Sequence, residues 1–279
     1  MDAAEAVDGV DGVKARIRQP AVAGSFYPSD PARLAGAVDA LLTAARARAA
    51  AAGLGRPRAI VVPHAAYQYS GPVAALGYAT LRDARPTRIV LVGPAHYVRL
   101  TGCAVPRATA WRTPLGLVPI DPVARDLAVR AAGVRADDQP HAPEHSLEVQ
   151  LPFLQRSLAG MPALRVLPVV AHAAAATVAD LLDAVAGDSG TLVLASTDLS
   201  HHQPDPAARE HDARTADAVL ALRPDRIADG AACGAHALRG LLTWARRHDL
   251  TPHPLALATS ADAGADPGRV VGYGAFAFA

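Results

Sequence analysis

Five short segments carry residue types that can do chemistry together. They are P-H-A-A-Y around His64, G-P-A-H ending at His96, H-A-P-E-H-S-L-E with Glu144, His145 and Ser146, S-T-D-L-S-H-H with Asp198, His201 and His202, and A-A-C-G-A-H with Cys233. Imidazole, thiolate and carboxylate donors are the set that holds a mononuclear transition metal, with acid/base groups beside it. Each segment also has a plainer reading. Asp198 is placed as a turn or helix cap could be. Glu144 with His145 reads as a favourable acidic first turn. Cys233 alone is a small buried apolar residue, and His202 an exposed loop residue. His172, His211, His248 and His253 have no supporting context and read as structural.

The placement of these segments argues for function. His64 follows R-A-I-V-V-P, His96 follows R-I-V-L-V-G, and the Asp198–His201 pair follows T-L-V-L-A-S. Each run is a short, continuously apolar strand, and ligands in open α/β sheets bind just beyond the carboxyl ends of strands. Further strands are expected over 164–170, 255–258 and 270–278. Helices are expected over 31–52, 72–81, 145–158, 177–186, 206–222 and 234–247. Strands apolar on both faces, alternating with helices, predict a single layered α/β domain with a mostly parallel or mixed central sheet. That domain should occupy 17–279, after a flexible leader over 1–16. Cys233 precedes the 234–247 helix, and a helix N-terminus there would lower its thiol pKa.

Composition removes several classes. Of 279 residues, 51% are hydrophobic and 19% charged, too apolar for disorder, and a net charge of +1 gives no electrostatic case for nucleic acid or an acidic membrane. No uncharged apolar run reaches the length of a bilayer span, and the acidic start does not resemble a secretory signal. Two cysteines make no disulfide scaffold, so a reducing cytoplasm is the expected compartment. Lys14 is the only lysine and alanine is abundant, which we read as compositional bias. Aromatics are 4% of the chain, which offers no visible stacking platform for an aromatic substrate. No P-loop, G-x-G-x-x-G, G-x-S-x-G or C-x-x-C pattern occurs.

Seven stretches in order resemble the Memo family, including its bacterial AmmeMemoRadiSam system protein B members. They are R-Q-P-A-V-A-G-S-F-Y-P (18–28), V-P-H-A-A-Y-Q-Y-S-G (62–71), G-P-A-H (93–96), E-H-S-L-E-V-Q-L-P-F (144–153), S-T-D-L-S-H (196–201), C-G-A-H (233–236) and the closing T-S-A-D with V-V-G-Y-G-A. The resemblance implies a fold like that of class III extradiol dioxygenases. It also implies one transition-metal ion on His64, His96 and Cys233, with iron(II) favoured and copper or zinc as alternatives. His145, Asp198 and His201 match further pocket groups, His201 as acid/base, and Glu144 and Tyr67 complete the set as expected substrate contacts. A thiolate where the dioxygenases have a carboxylate makes a softer site, so fold similarity alone does not imply ring cleavage. Ala66 stands where glycine is usual, and Tyr97 where some members have histidine.

Three functions follow as expectations. The first is a metal-dependent redox enzyme acting on a small molecule. The second is a non-catalytic metal-binding protein working with AMMECR-type and radical SAM partners. The third is a zinc hydrolase.

Overall fold

A computed structural model describes residues 16–159 and 164–279. Apart from Arg16, the expected leader lies outside the described residues. Strands β1 to β12 span Ile17–Arg18, Ala59–Val62, Arg88–Gly93, Gly102–Val105, Ala110–Thr113, Gly116–Pro119, Val134–Ala136, Val166–His172, Thr191–Ser196, His201–Gln203, Pro252–Thr259 and Val270–Phe278. Helices α1 to α7 span Pro31–Ala51, Tyr67–Ala79, Pro122–Ala128, Gln150–Ser157, Ala175–Val185, Asp205–Leu220 and Ala235–Arg247.

The main sheet runs in the order β10-β12-β2-β9-β3-β8-β4-β7, with β11 also paired to β12. Its centre, β2-β9-β3-β8, is parallel. Antiparallel pairs β12·β2 and β4·β8 bound that centre, so the sheet is mixed, as expected. A second sheet of β1, β5 and β6 packs beside it. No helix among the described residues is long and apolar enough to cross a membrane.

Alternation along the central strands divides the core into two layers. Ile60, Val62, Ile89 and Leu91 face one cluster with α1, α2 and α4. Ala59, Val61, Val90 and Val92 face the other with α5 and α7. Strands buried on both faces read as continuous apolar runs, which is why these four were legible. Two helices start elsewhere than expected. Helix α2 begins at Tyr67, a turn before Pro72, with the Tyr67 N–H donating to Phe26 O at 2.9 Å. Helix α4 begins only at Gln150, because 146–149 form turns anchored by the Glu144 carboxylate.

Among buried polar groups, His141 is 1% exposed; its Nε2 bonds to Ala104 O at 3.1 Å, and its Nδ1 has no partner among the described residues. Burial, then the Arg18 charge, pulls its pKa down to about 4. The unfolded chain titrates near the ordinary value of about 6.5 and so binds more protons below it. Stability is therefore lost as pH falls from about 6.5 towards 4, by up to about 3 kcal/mol from this residue. His141→Asn should remove that share. The test is the difference in urea unfolding free energy between pH 7.5 and 4.5, expected to be smaller in the variant; equal differences would contradict it.

Candidate metal centre

Strands β2, β3 and β9 are parallel, so their carboxyl ends meet at one sheet edge. His64 lies two residues past β2, His96 three past β3 and Asp198 two past β9. The 144–149 turn folds over the same edge. An added Cβ at Gly93 would sit 2.9 Å from Leu147 Cδ2, so glycine admits this turn against β3. An added Cβ at Gly234 would sit 2.7 Å from Ser196 O, so glycine likewise lets the Cys233 segment reach β9.

One ring nitrogen from each of His64, His96 and His145 lies within 4.8 Å of the others. His64 is 2% exposed. The other ring nitrogens are held. Ser196 Oγ donates to Ser146 O at 2.7 Å, so towards His64 Nδ1, 2.8 Å away, it accepts. That fixes the Nδ1–H tautomer and leaves His64 Nε2 as a lone pair. His96 Nδ1 lies 3.0 Å from Glu144 Oε1, with the same consequence. His145 Nδ1 faces Tyr97 Oη at 3.2 Å. Gln150 ties the strand ends together through Pro63 O at 3.0 Å and Ser196 Oγ at 2.9 Å.

Burial, followed by the charges of His96 and His145, holds His64 well below the ordinary imidazole range. Burial brings His145 down to about 4, against the upward pull of Glu144. Both rings are thus neutral at physiological pH, the state in which imidazole ligates a metal. Glu144 is pushed upward by its own burial, but hydrogen bonds from His96 and its neighbours prevail and set it at about 2. It is an ionised, fully buried carboxylate that accepts from His96 N, His145 N and Ser146 N as well as the His96 ring. Inward lone pairs on oriented imidazoles, with a carboxylate behind one of them, are the donor set a transition-metal cation fits.

The other expected site residues fall around this group. Cys233 Sγ is 3.2 Å from His64 Nε2 and accepts from Asp198 N at 3.3 Å, but it stands outside the three-histidine group. The expected lowering of its pKa is corrected: burial first, then the Asp198 charge, pushes the thiol up. Helix α7 begins at Ala235, and its end does not outweigh the desolvation. Asp198 Oδ1 accepts from His64 N at 2.7 Å, and burial raises the carboxyl to about 6. His201 is exposed and bonds Leu199 O at 2.8 Å through Nδ1; no hydrogen bond links it to Asp198 among the described residues. Tyr67 donates its hydroxyl to Val149 O at 2.6 Å and packs on Tyr27 and Phe153. Ala66 has φ −55°, so the absence of glycine there carries no strain.

Beside His145 and Asp198 lies a cavity of about 350 Å³, walled by Phe26, Tyr69, Val271 and Tyr273. Three aromatic rings thus line it, with the Phe26 ring centroid 4.6 Å from that of His145. Ser196, Gln150, Phe26, Tyr69 and Tyr273 were not singled out from the sequence, although all lie in the stretches quoted above or directly in register with them.

The family model described as Memo-like protein matches residues 18–277. A MEMO1 family protein of Methanopyrus kandleri is 34% identical over 94% of this chain and 98% of its own length. One from Sulfolobus acidocaldarius is 34% identical over 92% and 97%, and one from Methanothermobacter thermautotrophicus 33% over 92% and 98%. The match begins at Arg18, which binds the turn carrying Glu144, and runs into β12 beyond the last cavity residue, so it takes in every strand end that builds the centre. The chain belongs to the Memo family.

Proposed function

We propose that His64, His96 and His145 hold a single transition-metal ion, and that the adjoining cavity admits a small organic substrate for a redox reaction. The observation that carries this reading is the convergence of three oriented imidazole nitrogens within 4.8 Å. Iron(II) is the expected ion, following the resemblance to extradiol dioxygenases. Cys233, 3.2 Å from His64 Nε2, is the alternative third donor, and its participation would favour copper or zinc. When bound, the ion supplies Lewis acidity and open positions for substrate or oxygen. The chain contributes orientation and lining: Glu144 and Ser196 set the ring tautomers of His96 and His64, and Phe26, Tyr69 and Tyr273 wall the cavity.

The test is anaerobic loading with iron(II), zinc or copper(I), desalting and elemental analysis. One retained ion per chain is expected, lost in His64→Ala and in His96→Ala. Comparison of His145→Ala with Cys233→Ala identifies the third donor by which variant loses more affinity. Metal retained in both His64→Ala and His96→Ala would overturn the assignment. Oxygen uptake by the iron-loaded protein across catechols and related reductants tests the redox reading separately; no uptake would leave metal binding without dioxygenase chemistry.

A further inference from the structure

A second pair of histidines meets at the same sheet edge. His172 is the last residue of β8, the parallel neighbour of β3, and His236 lies in the first turn of α7. Their ring centroids are 4.2 Å apart at an interplanar angle of 47°. His236 Nδ1 bonds Ala173 O at 2.8 Å, so it carries the hydrogen and Nε2 is left as a lone pair. No hydrogen bond to a protein atom holds the His172 ring among the described residues, and its side chain is exposed. His236 is half-buried. Neither ring belongs to the three-histidine group.

We infer that His172 and His236 form a second, solvent-facing site for a borderline divalent cation such as zinc, nickel or copper(II). Two facing imidazoles gain little from each other when neutral and repel when both are charged, whereas a shared cation satisfies both nitrogens. The Ala173 carbonyl behind His236 is the partner that metal-binding histidines use to fix their tautomer and ring orientation. Asp229 stands near both rings, but its carboxylate is engaged by Arg239 at 2.6 Å. The two imidazoles are therefore the protein donors, and water completes the coordination. The open setting predicts a weaker and more readily exchanged ion than a buried centre would hold.

Titration calorimetry of the full chain with nickel tests this. Wild type is expected to show a binding event that His172→Ala and His236→Asn each abolish. The asparagine amide preserves the bond to Ala173 O while removing the Nε2 donor. The same event should persist in a His64→Ala/His96→Ala background, which separates it from the three-histidine centre. Copper(II) bound there should show nitrogen coupling in its electron paramagnetic resonance spectrum, lost in His172→Ala. Nickel binding of unchanged stoichiometry and affinity in both His172→Ala and His236→Asn would overturn the inference. So would loss of all nickel binding in the His64→Ala/His96→Ala background.

Discussion

Replacing Glu148 with alanine is expected to cost the fold about 3–5 kcal/mol, the usual penalty for leaving a buried charge unpaired. Glu148 is fully buried, and its two oxygens accept from four donors. Arg18 Nη1 at 2.6 Å and Ala21 N at 2.7 Å reach Oε2. Tyr27 Oη at 2.6 Å and Val22 N at 3.0 Å reach Oε1. Arg18 in turn donates to His141 O at 2.7 Å and Glu144 O at 2.6 Å, and its guanidinium lies 4.3 Å over the Trp111 ring. The pair thus stitches the 18–27 segment to the turn that presents Glu144 and His145. Alanine would leave a buried guanidinium without its counter-charge and three other donors without their acceptor. Because a domain is stable by only about 5–15 kcal/mol, the variant should be near the limit of folding. Urea unfolding gives the number. Arg18→Met should also destabilise, and the double variant Arg18→Met/Glu148→Ala should cost less than the two single changes together, because no unpaired charge remains. A loss below about 1 kcal/mol in Glu148→Ala, or strict additivity in the cycle, would contradict the hub.

The parts of the molecule legible in the sequence are those governed by local pattern. Strands β2, β3, β8 and β9 announce themselves because both faces are buried, leaving polar residues only at their ends. Strands β6 and β7, by contrast, are short and partly exposed, and β10 consists of His201–Gln203, whose pairing with β12 is set by a long-range contact with Val271. No periodicity marks such strands. The positions of His64, His96 and Asp198 follow from strand ends alone. What they touch does not: a sequence shows that Glu144 precedes His145, but not that its carboxylate turns back to meet His96, 48 positions away in the chain. The same holds for Cys233, where the expected helix-end effect is reversed by burial that only the packed structure reveals.

Glu144→Gln should weaken metal binding by about 10–100-fold, the usual effect of losing the partner that orients a ligating histidine. The carboxylate receives four N–H groups, the His96 backbone and ring and the backbones of His145 and Ser146. Glutamine keeps the volume but replaces one acceptor oxygen with an NH₂ group. Whichever way the amide is turned, a donor then faces a donor. If the oxygen takes the Oε1 place, it keeps the His96 ring, His145 N and Ser146 N, and the NH₂ faces His96 N; if it takes the Oε2 place, the NH₂ faces the His96 ring, His145 N and Ser146 N together. Either outcome sets a donor against His96, through its backbone or its ring. The unsatisfied donor adds a stability loss of about 1–3 kcal/mol. The sign with pH is also fixed. The folded-state pKa of Glu144 is depressed to about 2, so its contribution is present above the ordinary carboxylate range and fades as pH falls through about 2. Zinc affinity of wild type and Glu144→Gln at pH 7, measured by chelator competition, is the decisive comparison. A variant within threefold of wild type, in a protein whose His96→Ala form binds no zinc, would show that His96 needs no carboxylate behind it, and the role assigned to Glu144 would fall.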